Sequence, residues 1–224
     1  MSMRFITTSS SEPVAKYMAE LIDTHLDGGR KVLWLLSGGS GIATAVAAHR
    51  LISSKRRSNL VIMQIDERYG QVGHADSNWR QLEAAGLKLT EGETAIPILT
   101  GATMEATVQE YATKLDQELQ WANARIGFFG MGADGHTAGI LPGSPAVSSG
   151  DLVAGYTGPD FERITITANV IKQLDEAILY AAGEGKKAQL EVLQHNKPAE
   201  DQPAQFLKQA KNLTVFNDAI GEAL

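Results

Sequence analysis

The sequence predicts an α/β fold in which a Rossmann-like, mostly parallel sheet is flanked by helices in three layers. Short apolar runs of strand length alternate along the chain with segments of helical periodicity. Glycine-rich or polar clusters directly follow several of these runs. Because no repeat, low-complexity tract or linker divides the 224 residues, we expect a single domain over residues 1–224.

The apolar runs and the helical segments give the order of the elements. Continuous apolar runs are typical of strands buried on both faces of a parallel sheet. They predict strands over residues 31–36, 60–65, 125–129, 177–182 and 213–216, and an alternating pattern predicts another over 163–167. Apolar residues at helical spacing predict helices over residues 12–26, 42–52, 78–85, 104–121 and 186–194. Strands separated by helices favour parallel pairing with crossover connections.

Composition excludes several functional classes. A formal net charge of -6 disfavours nucleic acid or an anionic membrane as the main partner, because both bind basic surfaces. The chain has no cysteine, which excludes disulfides, thiol catalysis and thiolate zinc sites. We find neither a signal-peptide pattern nor an apolar segment of membrane-spanning length, so a cytoplasmic location is expected. The oligomeric state is not readable from the sequence.

Four polar clusters follow predicted strands: residues 37–40, 66–68, 130–137 and 183–186. In an open parallel sheet, ligands bind beyond the carboxyl ends of the strands. We therefore expect these clusters, which are distant in sequence, to form one site.

The first cluster consists of Ser37, Gly38, Gly39 and Ser40 and precedes a predicted helix. Glycines let backbone amides approach an anion, and a helix N-terminus adds positive potential. The alternative is a tight turn with helix caps. A P-loop lysine and a full dinucleotide fingerprint are both missing from the sequence, which disfavours nucleotide binding.

The loop Gly130-Met-Gly-Ala-Asp-Gly-His-Thr137 is the more specific signal. Its glycines allow Asp134 and His136 to project near the edge of the sheet, and histidine suits acid–base chemistry near neutral pH. Asp134 could orient the imidazole or bind a substrate hydroxyl. A purely structural histidine is one alternative. Half of a metal site is another alternative, but no third ligand follows at a familiar spacing, so we expect no metal ion here.

The basic candidates at strand ends are Arg68, Arg163 and Lys186. Arginine binds phosphate through a planar fork, whereas lysine acts as a mobile point charge. Asp66 and Glu67 are candidates for binding substrate, and they could equally be ion-pair partners of Arg68. Taken singly, each of these charges could be a solvated surface group.

These residues carry a resemblance to the 6-phosphogluconolactonases, within a family that also contains glucosamine-6-phosphate deaminases. The matching pieces occur in the family's order: residues 37–40, 66–68 with 76–78, 130–138 with 141–143, 163–165 and 183–186.

The resemblance implies cofactor-free hydrolysis of 6-phosphoglucono-δ-lactone in the oxidative pentose phosphate pathway. His136 is then the general base. The serine–glycine loop, Arg163 and Lys186 bind phosphate, and Arg68 binds substrate or product.

The chain departs from the family pattern at two points. Gly41-Ile42 stands where the family commonly has Thr-Pro, and Tyr69-Gly70 replaces a Val-Pro type of continuation. In addition, Lys187 could take the role of Lys186.

Two other functions compete with lactone hydrolysis. Deaminases of this family carry an Asn-Glu-Pro type sequence after the histidine loop, whereas residues 140–143 here are Ile-Leu-Pro-Gly. The missing glutamate favours the lactonase. A phosphosugar-binding regulator without turnover is the second alternative, and the presence of both Asp134 and His136 argues against it.

Overall fold

The structure is a computed structural model that describes residues 2–223. The strands are β1 (Ser2–Thr7), β2 (Val32–Leu36), β3 (Leu60–Gln64), β4 (Asp66–Arg68), β5 (Thr94–Ile96), β6 (Ala124–Phe129), β7 (Val153–Thr157), β8 (Glu162–Ile166), β9 (Glu176–Ala181), β10 (Asn212–Asn217) and β11 (Glu222–Ala223). The helices are α1 (Glu12–Asp27), α2 (Ile42–Leu51), α3 (Asn78–Ala84), α4 (Met104–Trp121), α5 (Ala168–Ile171) and α6 (Lys187–Leu193). Every strand and helix predicted from the sequence is present, with ends shifted by at most a residue or two.

Most of the strands form one parallel sheet. Within residues 2–223 this sheet has eight strands in the order β11-β1-β10-β9-β6-β2-β3-β5. All of its strand pairs are parallel. The predicted mostly parallel α/β fold is therefore confirmed.

Two apolar cores cover the two faces of the sheet, and side chains alternate between them along each strand. In β2, Trp34 packs with α1 and α2 on one face, whereas Leu33 and Leu35 pack with α4 on the other. The arrangement is helix, sheet and helix, as the three-layer prediction required. Among residues 2–223, no helix is long and apolar enough to cross a lipid bilayer.

A second, smaller sheet was not predicted. Its order is β4-β8-β7, and both of its pairings are antiparallel. Asp66, Glu67 and Arg68 therefore form a strand of their own rather than a loop after β3. The backbone N–H of Ile166 donates to Ile65 O at 2.9 Å and joins this sheet to the carboxyl end of β3.

Candidate active site

The predicted polar clusters converge at the carboxyl edge of the main sheet. The chain continues from β2 to β3 on one side of the sheet, and from β6 to β9 and β10 on the other. The strand order thus reverses between β2 and β6, which is where open α/β sheets bind ligands. A cleft of about 180 Å³ opens there. It is lined by Ser37, Gly38, Gly39, Ser40, Asp66, Arg68, Asn78, Gly130, Met131, Gly132, His136, Ala138, Arg163 and Lys186.

The loop after β6 folds back on itself to present His136. The backbone N–H of Gly132 donates to His136 O at 2.9 Å, and Gly135 adopts a φ of 83°, which favours glycine. A Cβ at Gly132 would overlap the imidazole of His136 and the carboxylate of Asp134. The glycines of this loop therefore provide the space in which the two side chains meet.

Asp134 and His136 form a hydrogen-bonded pair. The imidazole Nδ1 lies 2.7 Å from Asp134 Oδ1, and the backbone N–H of His136 donates to the same oxygen at 3.1 Å. Partial burial opposes ionisation of Asp134, but the backbone N–H and the charge of His136 outweigh it and lower the pKa of the carboxyl group. With Nδ1–H donated to a carboxylate, Nε2 is the nitrogen left to accept a proton. Asp134 itself is half exposed and does not line the cleft.

The first glycine loop runs from the end of β2 into α2. Gly39 has a φ of 64°, and residues Gly39–Gly41 form a single 3₁₀ turn before the helix. In the described part of the chain, no side chain caps the N-terminus of α2, although the N–H of Ile42 already donates to Gly39 O within the 3₁₀ turn. An anion beside this turn would face the positive end of the helix dipole.

Both departures from the family pattern have local partners. A Cβ at Gly41 would lie 3.0 Å from Phe128 Cε1, so a larger residue would crowd the buried ring. Tyr69 fixes the chain after Arg68, because its N–H donates to Glu162 O at 2.8 Å and its hydroxyl donates to Ala102 O at 3.0 Å.

Glu67 joins β4 to the start of α3. This buried carboxylate accepts five hydrogen bonds from nearby backbone and side-chain groups. The donors are the N–H of Arg68 at 2.8 Å, the N–H of Asn78 at 2.6 Å, Gln64 Nε2 at 2.8 Å, Ser77 Oγ at 2.9 Å and the N–H of Trp79 at 3.0 Å. Glu67 therefore positions its neighbours and is not free to bind substrate.

Asp66 lies deeper in the cleft. It is 7% exposed, and Asn78 Nδ2 donates to its Oδ2 at 3.3 Å. Burial, followed by the nearby charge of Glu67, raises the pKa of Asp66 to about 6, although Arg68, Arg163 and His136 act in the opposite direction. Asp66 can therefore carry or release a proton near neutral pH.

The two arginines are neighbours on the small sheet. Arg68 in β4 pairs in register with Arg163 in β8. Arg163 Nη2 donates to both carboxylate oxygens of Asp160, at 2.7 and 2.9 Å, and Arg68 Nη1 donates to Asp76 O at 3.0 Å. The remaining guanidinium donors can serve a ligand.

Lys186 lines the cleft on the side of β9, and Lys187 does not. Lys186 Nζ donates to Met131 O at 2.7 Å, whereas Lys187 is exposed as the first residue of α6. The structure therefore brings Lys186, and not its neighbour, to the site.

Asn78 was not predicted as a site residue, although it lies in residues 76–78, one of the segments that resemble the family. Its Nδ2 donates to Asp66 O at 3.0 Å, and a Cβ at Gly38 would overlap its carboxamide. The signal in the sequence was the position of Asn78 at the start of α3, downstream of the Asp66 cluster.

Unsatisfied polar atoms concentrate in this cleft. Buried polar groups in proteins normally have hydrogen-bond partners. Of the six buried side-chain atoms without a partner in residues 2–223, four belong to residues that line the cleft. They are Ser37 Oγ, Arg68 Nε, Asn78 Oδ1 and Arg163 Nε. Such a cluster indicates a site that a polar ligand completes.

The residues that the structure describes contain no group of three or more His, Asp or Glu side chains placed to hold a metal ion. Asp134 and His136 are therefore a hydrogen-bonded pair without a third ligand beside them in that part of the chain.

Residues 7–216 match the family model described as glucosamine-6-phosphate isomerases/6-phosphogluconolactonase. A 6-phosphogluconolactonase from Synechocystis is 30% identical over 170 residues, covering 71% of each chain. The human 6-phosphogluconolactonase is 26% identical over 219 residues, covering 89% of this chain and 84% of the human one.

Solved structures share the fold. A 6-phosphogluconolactonase from Shewanella baltica superposes with a TM-score of 0.80 at 22% identity, covering 96% of this chain and 97% of that one. The Thermotoga maritima 6-phosphogluconolactonase gives a TM-score of 0.82 at 18% identity, covering 96% and 98% of the two chains.

Proposed function

Because this chain belongs to the glucosamine-6-phosphate isomerase/6-phosphogluconolactonase family, we propose that it hydrolyses 6-phosphoglucono-δ-lactone to 6-phosphogluconate in the oxidative pentose phosphate pathway. The enzyme is a carboxylic ester hydrolase that works in the cytoplasm on a small phosphosugar lactone. Its own side chains carry the reaction without a cofactor.

One observation carries this proposal. The cleft combines a histidine whose Nδ1 is held by a carboxylate at 2.7 Å with two arginines and a lysine that retain unused donors. An acid–base group beside a cationic surface suits an ester substrate that carries a phosphate.

The phosphate binds at the cationic residues and the first glycine loop. Arg163 and Lys186 offset its charge, and the amides of residues 38–40 donate to its oxygens and fix the orientation of the sugar. Arg68 contacts the substrate beside Arg163. Asp66 forms a hydrogen bond with a sugar hydroxyl, as the acceptor when it is ionised and as the donor when it is protonated. Holding the lactone in this way lowers the entropic cost of reaching the transition state.

His136 then moves two protons. Nε2 takes a proton from water while the water oxygen bonds to the lactone carbonyl carbon, and the carbonyl becomes a tetrahedral oxyanion. When this intermediate collapses, the bond to the ring oxygen breaks and the imidazolium returns its proton to that oxygen. The products are a carboxylic acid, which ionises in water, and a free hydroxyl. Asp134 keeps the imidazole in the productive tautomer and stabilises its charged form.

Amino-sugar deamination on the same scaffold is the main alternative. Residues 137–143 contain no carboxylate that could assist opening of an amino-sugar ring. Lactone hydrolysis needs no such step, because the carbonyl is already open to attack. The second alternative is a regulator that binds phosphosugars without turning them over.

Two substrates offered to one preparation separate these functions. With fresh 6-phosphogluconolactone, we expect acid release above the spontaneous rate. With glucosamine 6-phosphate, we expect no ammonia. A mock preparation from the same host measures contaminating enzyme. Ammonia release without lactonase activity would transfer the protein to the deaminase branch, and binding without turnover of either compound would support the regulator.

A further inference from the structure

An aromatic side chain lies against both arginines of the cleft. The guanidinium carbon of Arg68 is 5.2 Å from the centroid of the Phe161 ring, and that of Arg163 is 5.6 Å from the same centroid. Both distances fall within the roughly 6 Å over which a cation is attracted to an aromatic ring. Phe161 therefore contacts two cationic groups at once.

The backbone around Phe161 fixes the ring relative to both arginines. Phe161 lies in the hairpin between β7 and β8, and its carbonyl accepts the N–H of Gly158 at 2.8 Å, which closes the turn. Arg68 and Arg163 face each other across β4 and β8. The N–H of Tyr69 continues this pairing to Glu162 O at 2.8 Å, immediately after Phe161.

Two guanidinium groups that contact the same ring repel each other unless something offsets their charges. Asp160 pairs with Arg163 at 2.7 Å and offsets one charge. The electron-rich ring of Phe161 attracts both groups and restricts their rotation. Each guanidinium still has a buried Nε without a partner among the described residues. The pair thus remains open to an anion with several acceptor oxygens.

We propose that Phe161 is a positioning residue that holds Arg68 and Arg163 together as a single binding site for the phosphate dianion. The inference rests on the proposed function, because it assigns the phosphate of the substrate to this end of the cleft. Under this proposal Arg68 belongs to the phosphate site. The affinity for phosphate then depends on the aromatic ring of Phe161 and not only on the volume of an apolar side chain.

Three substitutions separate the effect of the ring from that of bulk. Phe161→Leu keeps an apolar side chain and removes the aromatic face, whereas Phe161→Tyr and Phe161→Trp retain it. Binding of inorganic phosphate and of 6-phosphogluconate is measured by calorimetry, and KM and kcat are measured with the phosphorylated lactone. Thermal unfolding of each variant checks that the fold is intact.

We expect Phe161→Leu to weaken phosphate binding by about five- to thirty-fold, because without the two cation–π contacts the binding step itself must order the two guanidinium groups. Tyr and Trp should stay within about three-fold of the parent protein. The kinetic loss should appear mainly in KM for the phosphorylated lactone, with KM for unphosphorylated gluconolactone unaffected.

Several outcomes would overturn the inference. One is a leucine variant that binds phosphate as tightly as the parent. Another is an equal loss with both lactones, and a third is a parent protein that does not bind phosphate. If the leucine variant fails to fold, Phe161→Met makes the same comparison. A parent protein that binds phosphate in a ring-dependent way but hydrolyses no lactone would contradict the proposed function alone.

Discussion

Two small residues beside His136 determine the geometry of its loop. Gly132 leaves the space in which Asp134 reaches the imidazole, since a Cβ there would overlap both side chains. Ala138 adopts a φ of 54°, a left-handed conformation that is costly for a residue with a Cβ. Such strain persists only where surrounding contacts impose it, and here it lies two residues after His136 in the wall of the cleft.

Asp66 gives a pH-dependent prediction at the scale of one residue. Its pKa is raised to about 6 in the folded protein, above an ordinary value of 3.8. Its contribution to stability is therefore fully present below the ordinary pKa and is lost as the pH rises through about 6. Asp66→Asn removes this titration. Relative to the parent, the variant should gain up to about 3 kcal/mol in free energy of unfolding between about pH 4 and pH 7.

Urea denaturation of both proteins across this pH range measures the difference. Asp201→Asn, at an exposed carboxylate, is the matched control. Its free energy of unfolding should differ from that of the parent by a nearly constant amount across the pH range. If the free energy of unfolding of Asp66→Asn also differed from that of the parent by a constant amount, burial would not shift the pKa of Asp66 as described.

At the scale of elements, the small sheet holds the chain that follows His136 in place. Thr165 Oγ1 in β8 accepts the N–H of Gly139 at 3.0 Å, and the hydroxyl of Tyr156 in β7 donates to Gly139 O at 2.6 Å. A Cβ at Gly139 would lie 2.9 Å from Thr165 Cβ. The chain after His136 is thereby fixed against two strands distant from it in sequence.

The main sheet was predictable because its central strands are continuous apolar runs between amphipathic helices. The small sheet was not, because β4 is the charged sequence Asp-Glu-Arg and its stability depends on hydrogen bonds to Glu67 from residues up to twelve positions away. Strands β5 and β11 are too short for a periodicity to appear.

The candidate site was predictable as a set of loops but not in all of its pairings. Asp134 and His136 are neighbours in one loop of the sequence, so their pairing could be anticipated. The contact of both Arg68 and Arg163 with the ring of Phe161 could not. That contact depends on the hairpin between β7 and β8, which exists only once the small sheet has formed.

A buried carboxylate that binds a histidine and an arginine secures the end of α2 that is remote from the cleft. Glu93 Oε2 lies 2.9 Å from His49 Nε2, and its Oε1 lies 2.6 Å from Arg57 Nη1. Burial opposes ionisation of Glu93, but hydrogen bonds from His49 and Thr90 together with the nearby charge of Arg57 lower its pKa to about 2. The carboxylate thus links α2 to the loops around residues 57 and 90.

Glu93→Gln should lower the free energy of unfolding by about 3 kcal/mol at neutral pH, because it leaves Arg57 without its charged partner. The stabilisation from Glu93 is present above its ordinary pKa and is lost as the pH falls toward about 2, so the difference from the parent should shrink in acid. Urea denaturation measures it, with the exposed Glu91→Gln as control. Equal stability of the Glu93→Gln variant and the parent at neutral pH would contradict this role.

At the scale of the whole molecule, charge is unevenly distributed. The chain carries a formal charge of -6, yet Arg68, Arg163 and Lys186 all line the same cleft. A net negative charge discourages binding to polyanions, whereas a local cationic site can still bind a small phosphate ester. The small sheet, which is joined to the carboxyl end of β3, brings both arginines to the edge of the main sheet where His136 and Lys186 lie.

Chelation tests whether the whole protein works without a metal. Incubation with EDTA, followed by removal of the chelator, should leave the lactonase rate unchanged, because the proposed proton transfers use only His136 and water. The assay compares treated and untreated protein, each corrected for spontaneous hydrolysis. Loss of activity that zinc or magnesium restores would require a metal-assisted mechanism.

The rate of the His136→Ala variant tests the proposed role of His136 as the general base of lactone hydrolysis. The variant is assayed with fresh 6-phosphogluconolactone against the spontaneous rate, and calorimetry with 6-phosphogluconate checks that the cleft still binds its product. We expect a folded protein with product affinity retained and kcat reduced by about 10²- to 10⁴-fold. A folded variant with near-normal turnover would contradict it.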